Sequence, residues 1–178
     1  MGRLATGYAL TRADPSEVLA LIDINVASDT LFAETGLIRA EDLGDHIPAA
    51  FIEAGIRERE VFVVREEAAE PVGFTLTSLR GGALYLDQIS VHPGHGQKGL
   101  GRALMERVFE DARQRRFKYI ILSTFRDVAW NGPFYRSLGF HELKRGELSD
   151  WMLDLEAAQA ESLDTTKRCF MRKRLRWF

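Results

Sequence analysis

Apolar residues recur along the chain with two different periods, and the switches between them mark the elements. Tyr8 to Thr11 alternates as a short strand, and Asp14-Pro15 then opens a helix on which Val18, Leu21, Ile22 and Val26 fall at helical spacing. A second helix is expected from Ala40 to Glu53, stopped by Gly55, with Leu31, Phe32 and Leu37 in the connection before it. Glu60 to Arg65 and Pro71 to Leu79, rich in Val, Phe and Thr, flank polar Glu66 to Glu70 and read as a β-hairpin. Gly81-Gly82 supplies the next turn and Leu84 to Val91 the next strand. A helix from Leu100 to Arg115 carries Leu100, Ala103, Leu104, Val108 and Ala112 on one stripe, and Lys118 to Phe125 is a strongly apolar strand. Strand, crossover helix and strand in that order favour parallel pairing. Trp130 to Ser137 reads as a short helix with Asn131 capping it and Pro133 in its first turn; Leu138-Gly139-Phe140 ends it and begins a strand. Ser149 to Glu161 is another helix. The tail alternates Cys169, Met171, Leu175 and Trp177 against Arg172, Arg174 and Arg176, the pattern of a half-buried strand.

Composition leaves this picture intact. With 178 residues, 46% of them hydrophobic and 28% charged, and neither repeat nor linker, residues 1–178 fit one globular domain. The net charge of -2 favours no nucleic-acid partner, and strand alternation accounts for the basic tail as a solvated face. Cys169, with no second cysteine, excludes an internal disulfide and reads as a buried core residue in a reducing compartment. No apolar run is long enough to span a bilayer and no signal-like layout opens the chain, so the expected location is cytoplasmic, without membrane attachment. Met1-Gly2-Arg3-Leu4-Ala5-Thr6 satisfies the bare myristoylation pattern but has no second membrane signal beside it.

The candidate chemistry begins at Val91-His92-Pro93-Gly94-His95-Gly96-Gln97-Lys98-Gly99-Leu100-Gly101, a glycine-rich turn between a strand and a helix. Successive backbone N–H groups and a helix N-terminus at such a turn hold an anion, and glycine lets the backbone close on phosphate oxygens. Lys98 adds a mobile charge. Gly94, Gly96 and Gly99 satisfy the dinucleotide pattern G-x-G-x-x-G, but Pro93 intervenes after the strand, some eighty residues of other elements come first, and where an acidic residue is wanted about twenty residues on stands Tyr119; the Walker pattern fails as well.

The turn resembles the acetyl-CoA signature of the GNAT acetyltransferase superfamily, V-x-P followed by Q/R-x-x-G-x-G/A, with Val91, Pro93, Gly99 and Gly101 in register and Gly96 where the family has Gln or Arg. Trp130 to Phe140 is similar to the family's later motif ending in F/Y-Y-x-x-x-G-F. The resemblance implies an α/β (α+β) fold: a mixed, mostly antiparallel sheet of six or seven strands with helices on both faces. It implies acetyl-CoA as co-substrate, entering where the fourth and fifth strands separate. Its contacts would be Ile89, Ser90 and Val91 on the strand, Gly96, Gln97, Lys98, Gly99, Leu100, Gly101 and Arg102 on the turn, and Asn131 and Phe134 beyond it. Tyr135 matches the family's general acid, and Asp87 is the candidate base, placed by alternation beside Tyr85 and Ile89. His92 and His95 read as loop-structure residues. The acceptor would be an amine of a small molecule or peptide, approaching past Phe32 to Ile38, the helix near Phe51 and the segment Trp151 to Leu155; a homodimer stays open. A non-catalytic CoA-binding regulatory domain is the alternative.

Overall fold

The computed structural model describes residues 4–176 apart from Leu43, His46 and Ala68. The myristoylation pattern at Met1 to Arg3 and the Trp177 end of the tail stripe lie outside the described residues. The strands are β1 (Tyr8–Arg12), β2 (Val61–Glu66), β3 (Pro71–Arg80), β4 (Ala83–Val91), β5 (Tyr119–Phe125), β6 (His141–Glu142) and β7 (Arg168–Arg174). They form one seven-stranded sheet in the order β1-β2-β3-β4-β5-β7-β6. All neighbours are antiparallel except β4 and β5, the pair joined by the crossover helix α3 (Leu100–Gln114).

Sheet alternation divides the core. Phe62, Val64, Leu84, Leu86, Ile120, Leu122 and Met171 face α3 and the short α4 (Gly132–Ser137). On the other face Val61, Val63, Phe74 and Leu76 meet α1 (Val18–Asp29) and α2 (Ala49–Arg57), while Tyr85, Ile121 and Phe170 meet α5 (Asp150–Gln159). Helices therefore cover both faces. No helix among the described residues is long and apolar enough to cross a membrane.

The second helix departs from its expected bounds at both ends. It starts after Pro48, which sits in extended conformation at the N-cap, because proline disfavours helical backbone in the residue before it; only a 3-10 turn forms at Ala40–Asp42. Gly55 does not stop the helix but lies within it, where a Cβ would overlap the Leu76 side chain, so it lets α2 settle close on β3. Cys169 is buried in the α3-facing core, and burial raises its thiol to about 11.

Candidate active site

β4 and β5 pair only at Leu84↔Ile120 and Tyr85↔Ile121, after which they part. The cause lies in β4. Its register against β3 shifts between Leu76↔Gln88 and Thr77↔Leu86, leaving Asp87 as the extra residue of a β-bulge, and a bulge bends its strand. Beyond the bulge, the N–H of His92 donates to the carbonyl of Val72 on β3 at 2.8 Å. Alternation then turns the backbone groups of Ile89 and Val91 away from β3, toward the gap. The gap widens into a cavity of about 890 Å³ that reaches from the glycine turn to the end of α1.

At one end of the cavity the turn is built as a cradle of donors. Gln97 and Gly99 adopt left-handed backbone, with φ of 59° and 73°. The N–H of Gly94 is taken by His92 Nδ1 and that of Gly96 by the Pro93 carbonyl, whereas the N–H groups from Gln97 to Arg102 have no acceptor among the described residues. Consecutive unpaired amides leading into a 15-residue helix hold an anion by direct donation and by the helix dipole. Lys98 does not line the cavity with them. Its Nζ donates to the Tyr8 hydroxyl at 2.8 Å, and the same hydroxyl bonds His95 Nδ1 at 2.8 Å, so it tethers the turn to β1.

The second motif forms the adjoining wall. Tyr135 on α4 is buried between Phe134 and Phe140, with ring centroids 5.2 and 5.7 Å away, and burial raises its phenol well above the usual range, so it stays protonated. Phe134 lies over the start of α3, where a Cβ on Gly101 would come within 3.8 Å of its ring. Asn131 precedes α4 but does not cap it with its side chain; Nδ2 donates to Thr124 Oγ1 at 2.9 Å, and the buried Oδ1 has no partner.

Asp87 faces the same side as Tyr85, as alternation implies, but Ile89 does not join them: the bulge turns it into the α3-facing core. Arg80 donates to Asp87 Oδ1 at 3.1 Å, while Oδ2 is buried without a partner. Burial raises the Asp87 carboxyl above the ordinary carboxylate value against the opposing bonds from Ser78 and Arg80. Ser90 lines the cavity, but its hydroxyl is occupied by Ser28 and Gln88.

A family profile described as the acetyltransferase (GNAT) family matches residues 8–140. The chain belongs to this family. Solved acetyltransferases share its fold at low identity. The ribosomal-protein-S18-alanine N-acetyltransferase of Escherichia coli is 17% identical with a TM-score of 0.67, covering 96% of either chain. The PaiA N-acetyltransferase of Thermoplasma acidophilum, solved in complex with coenzyme A, is 12% identical with a TM-score of 0.73, covering 94% of this chain and 98% of its own. An acetyltransferase of Streptococcus agalactiae is 21% identical with a TM-score of 0.69, covering 96% and 99%.

Acetyl-CoA is accordingly the co-substrate of this acetyltransferase, and the cavity suits it. The unpaired amides of Gln97 to Arg102 match a pyrophosphate, and the orphaned Asn131 Oδ1, with the open backbone edge of Ile89 and Val91, matches a ligand carrying amides. On the far side, the wall of the GNAT cavity includes Phe32 and Ile38 as expected, but not Phe51 or Trp151 to Leu155. The Trp151 ring is partly buried and packs edge-on against core Tyr85 and Phe170, at 5.6 and 6.3 Å. Ser28, Asp29, Gln159, Leu163 and Arg168 line the cavity instead, and the Ile38↔Leu163 bridge ties the two flanking connections together. None of these was legible as a site residue.

Asp29, at the last position of α1, is half-buried, and desolvation raises its carboxyl to about 6. A folded pKa above the unfolded one stabilises the fold below the unfolded pKa, and that contribution is lost as pH rises through about 6. Discounted for its partial exposure, the loss is about 1 kcal/mol. Asp29→Asn is expected to match the wild type near pH 4 and to melt about 2–4 °C higher near pH 8, read by thermal unfolding across that range.

Proposed function

We propose that this acetyltransferase moves the acetyl group of acetyl-CoA directly to a primary amine, with Tyr135 as proton donor to the departing sulfur and Asp87 as acceptor of the amine's proton. Acetyl-CoA supplies an acetyl carbon activated as a thioester. As the C–N bond forms and the C–S bond breaks, the amine proton passes to Asp87 and the phenol proton to sulfur. The observation that carries this reading is the placement of Tyr135 and Asp87 in the wall of one cavity at the point where β4 and β5 part. A buried phenol stays protonated until sulfur needs the proton, and a carboxylate with one oxygen unpaired and a raised pKa is the stronger base for it. The lone, unpaired Cys169 supports a reducing, cytoplasmic setting for the reaction.

Acetyl-CoA at about a hundred times its Kd is expected to add about 2.7 kcal/mol of stability, raising the melting temperature by roughly 5–10 °C, with no shift from NAD. Thiol release in its presence should depend on added amine. A thermal shift without amine-dependent thiol release would instead favour the regulatory reading, and no shift at all would end both.

A further inference from the structure

Arg168, the first residue of β7, lies half-buried in the cavity wall beneath α5 with no carboxylate among the described residues pairing with it. Its Nε donates to Gln159 Oε1 at 3.3 Å, and Nη2 donates to the carbonyl and hydroxyl of Ser123 at 3.1 and 3.2 Å. The plane stacks over Phe125, 4.7 Å from the ring centroid. These contacts fix the guanidinium and leave Nη1 with no hydrogen-bond partner among the described residues. Burial lowers its pKa, yet a guanidinium remains charged at any working pH. The titratable groups around it are Tyr85, Cys169 and Tyr135, all neutral because burial pushes Tyr85 to about 12, Cys169 to about 11 and Tyr135 higher still. Among the described residues no carboxylate answers this partly desolvated cation, so it is open to an anionic group that enters the cavity.

A second unanswered group lies on the same sheet face. Asp87 keeps Oδ2 buried and unpaired, and it acts on the Tyr85 phenol with the sign opposite to Arg168. Both groups line the one cavity and act on the same Tyr85, so one ligand satisfies both if it carries an amine and a carboxylate. We propose that the acetyl acceptor is a free amino acid, its carboxylate held by Arg168 and its amine directed to Asp87. This deepens the acetyl-transfer reading and rests on it. Specificity follows from the same physics: an acceptor without the carboxylate leaves Arg168 without an anionic partner, whereas a carboxylate meets a preset planar donor.

The test follows thiol release from acetyl-CoA with the common L-amino acids and with the carboxamide of each, using wild-type protein, Arg168→Gln and Arg168→Lys. Wild-type kcat/KM is expected to favour at least one amino acid over its carboxamide by about 10²-fold, mostly through KM. Arg168→Gln should remove that preference by lowering the amino acid alone, and Arg168→Lys should retain part of it. Carboxamides or plain alkylamines turned over as fast as amino acids by the wild type would overturn the proposal while leaving acetyl transfer standing. Equal losses on both panels in Arg168→Gln, the mark of a structural role, would overturn it too, as would a wild type that binds acetyl-CoA and acetylates neither panel. Should Arg168→Gln not fold, the wild-type preference decides alone. A wild type that acetyl-CoA does not stabilise against heat strikes the acetyl-transfer reading itself.

Discussion

Tyr135→Phe is expected to lower kcat by about 10²-fold or more while leaving the KM for acetyl-CoA and the melting temperature nearly unchanged. The substitution removes one oxygen from a ring held between Phe134 and Phe140, so the wall keeps its shape and the packing its area. What disappears is the proton for the departing sulfur. Because burial raises the phenol, the wild-type kcat should show no loss from Tyr135 ionisation in the ordinary tyrosine range; that limb is displaced upward. Steady-state kinetics with the preferred acceptor, alongside a melting curve, reads all three quantities. A kcat within a few-fold of wild type would remove Tyr135 from the chemistry and leave it as core.

Gly132→Ala should have the largest effect on stability, on the order of 3 kcal/mol or more, or roughly 6–12 °C in melting temperature, with activity lost alongside. Gly132 opens α4, and a Cβ there would overlap the backbone carbonyl of Arg126. That backbone cannot retreat. Its N–H donates to the Lys167 carbonyl at 2.8 Å, and its guanidinium bonds Glu142 and the carbonyls of Thr166 and Arg168 at 3.0–3.1 Å. The helix would move instead, and Tyr135 sits on it. Thermal unfolding by circular dichroism checks the magnitude, and an unchanged melting temperature would mean that α4 is not seated this way.

The strands and α3 were legible because their periods are local: alternation in β4 and β7 and the stripe from Leu100 to Ala112 need no knowledge of what they face. Both motif segments were legible for the same reason, each being contiguous. The features that escaped are those that depend on two elements at once. Asp87 shares a face with Tyr85 but not with Ile89, because the bulge inserts a residue that only the pairing with β3 reveals. Asn131 has the residue type and position of a cap, yet Thr124 on a neighbouring strand takes its side chain. Lys98 reads as a free charge on the turn, whereas its Nζ bonds the hydroxyl of Tyr8, ninety residues earlier. Arg168 fell on the face assigned to solvent by Arg172, Arg174 and Arg176. Phe170, buried on that same face, was the signal that α5 covers its beginning.

The brevity of the β4–β5 pairing bears on how the molecule breathes. Two adjacent residues on either strand carry the backbone tie between a four-stranded half and a three-stranded half. Each half has its own complete antiparallel ladder, so parting them slightly along this seam breaks few main-chain bonds and disturbs neither. The place where reactants must be admitted is thus a line crossed by few main-chain bonds, where the shared apolar core on α3 does most of the holding.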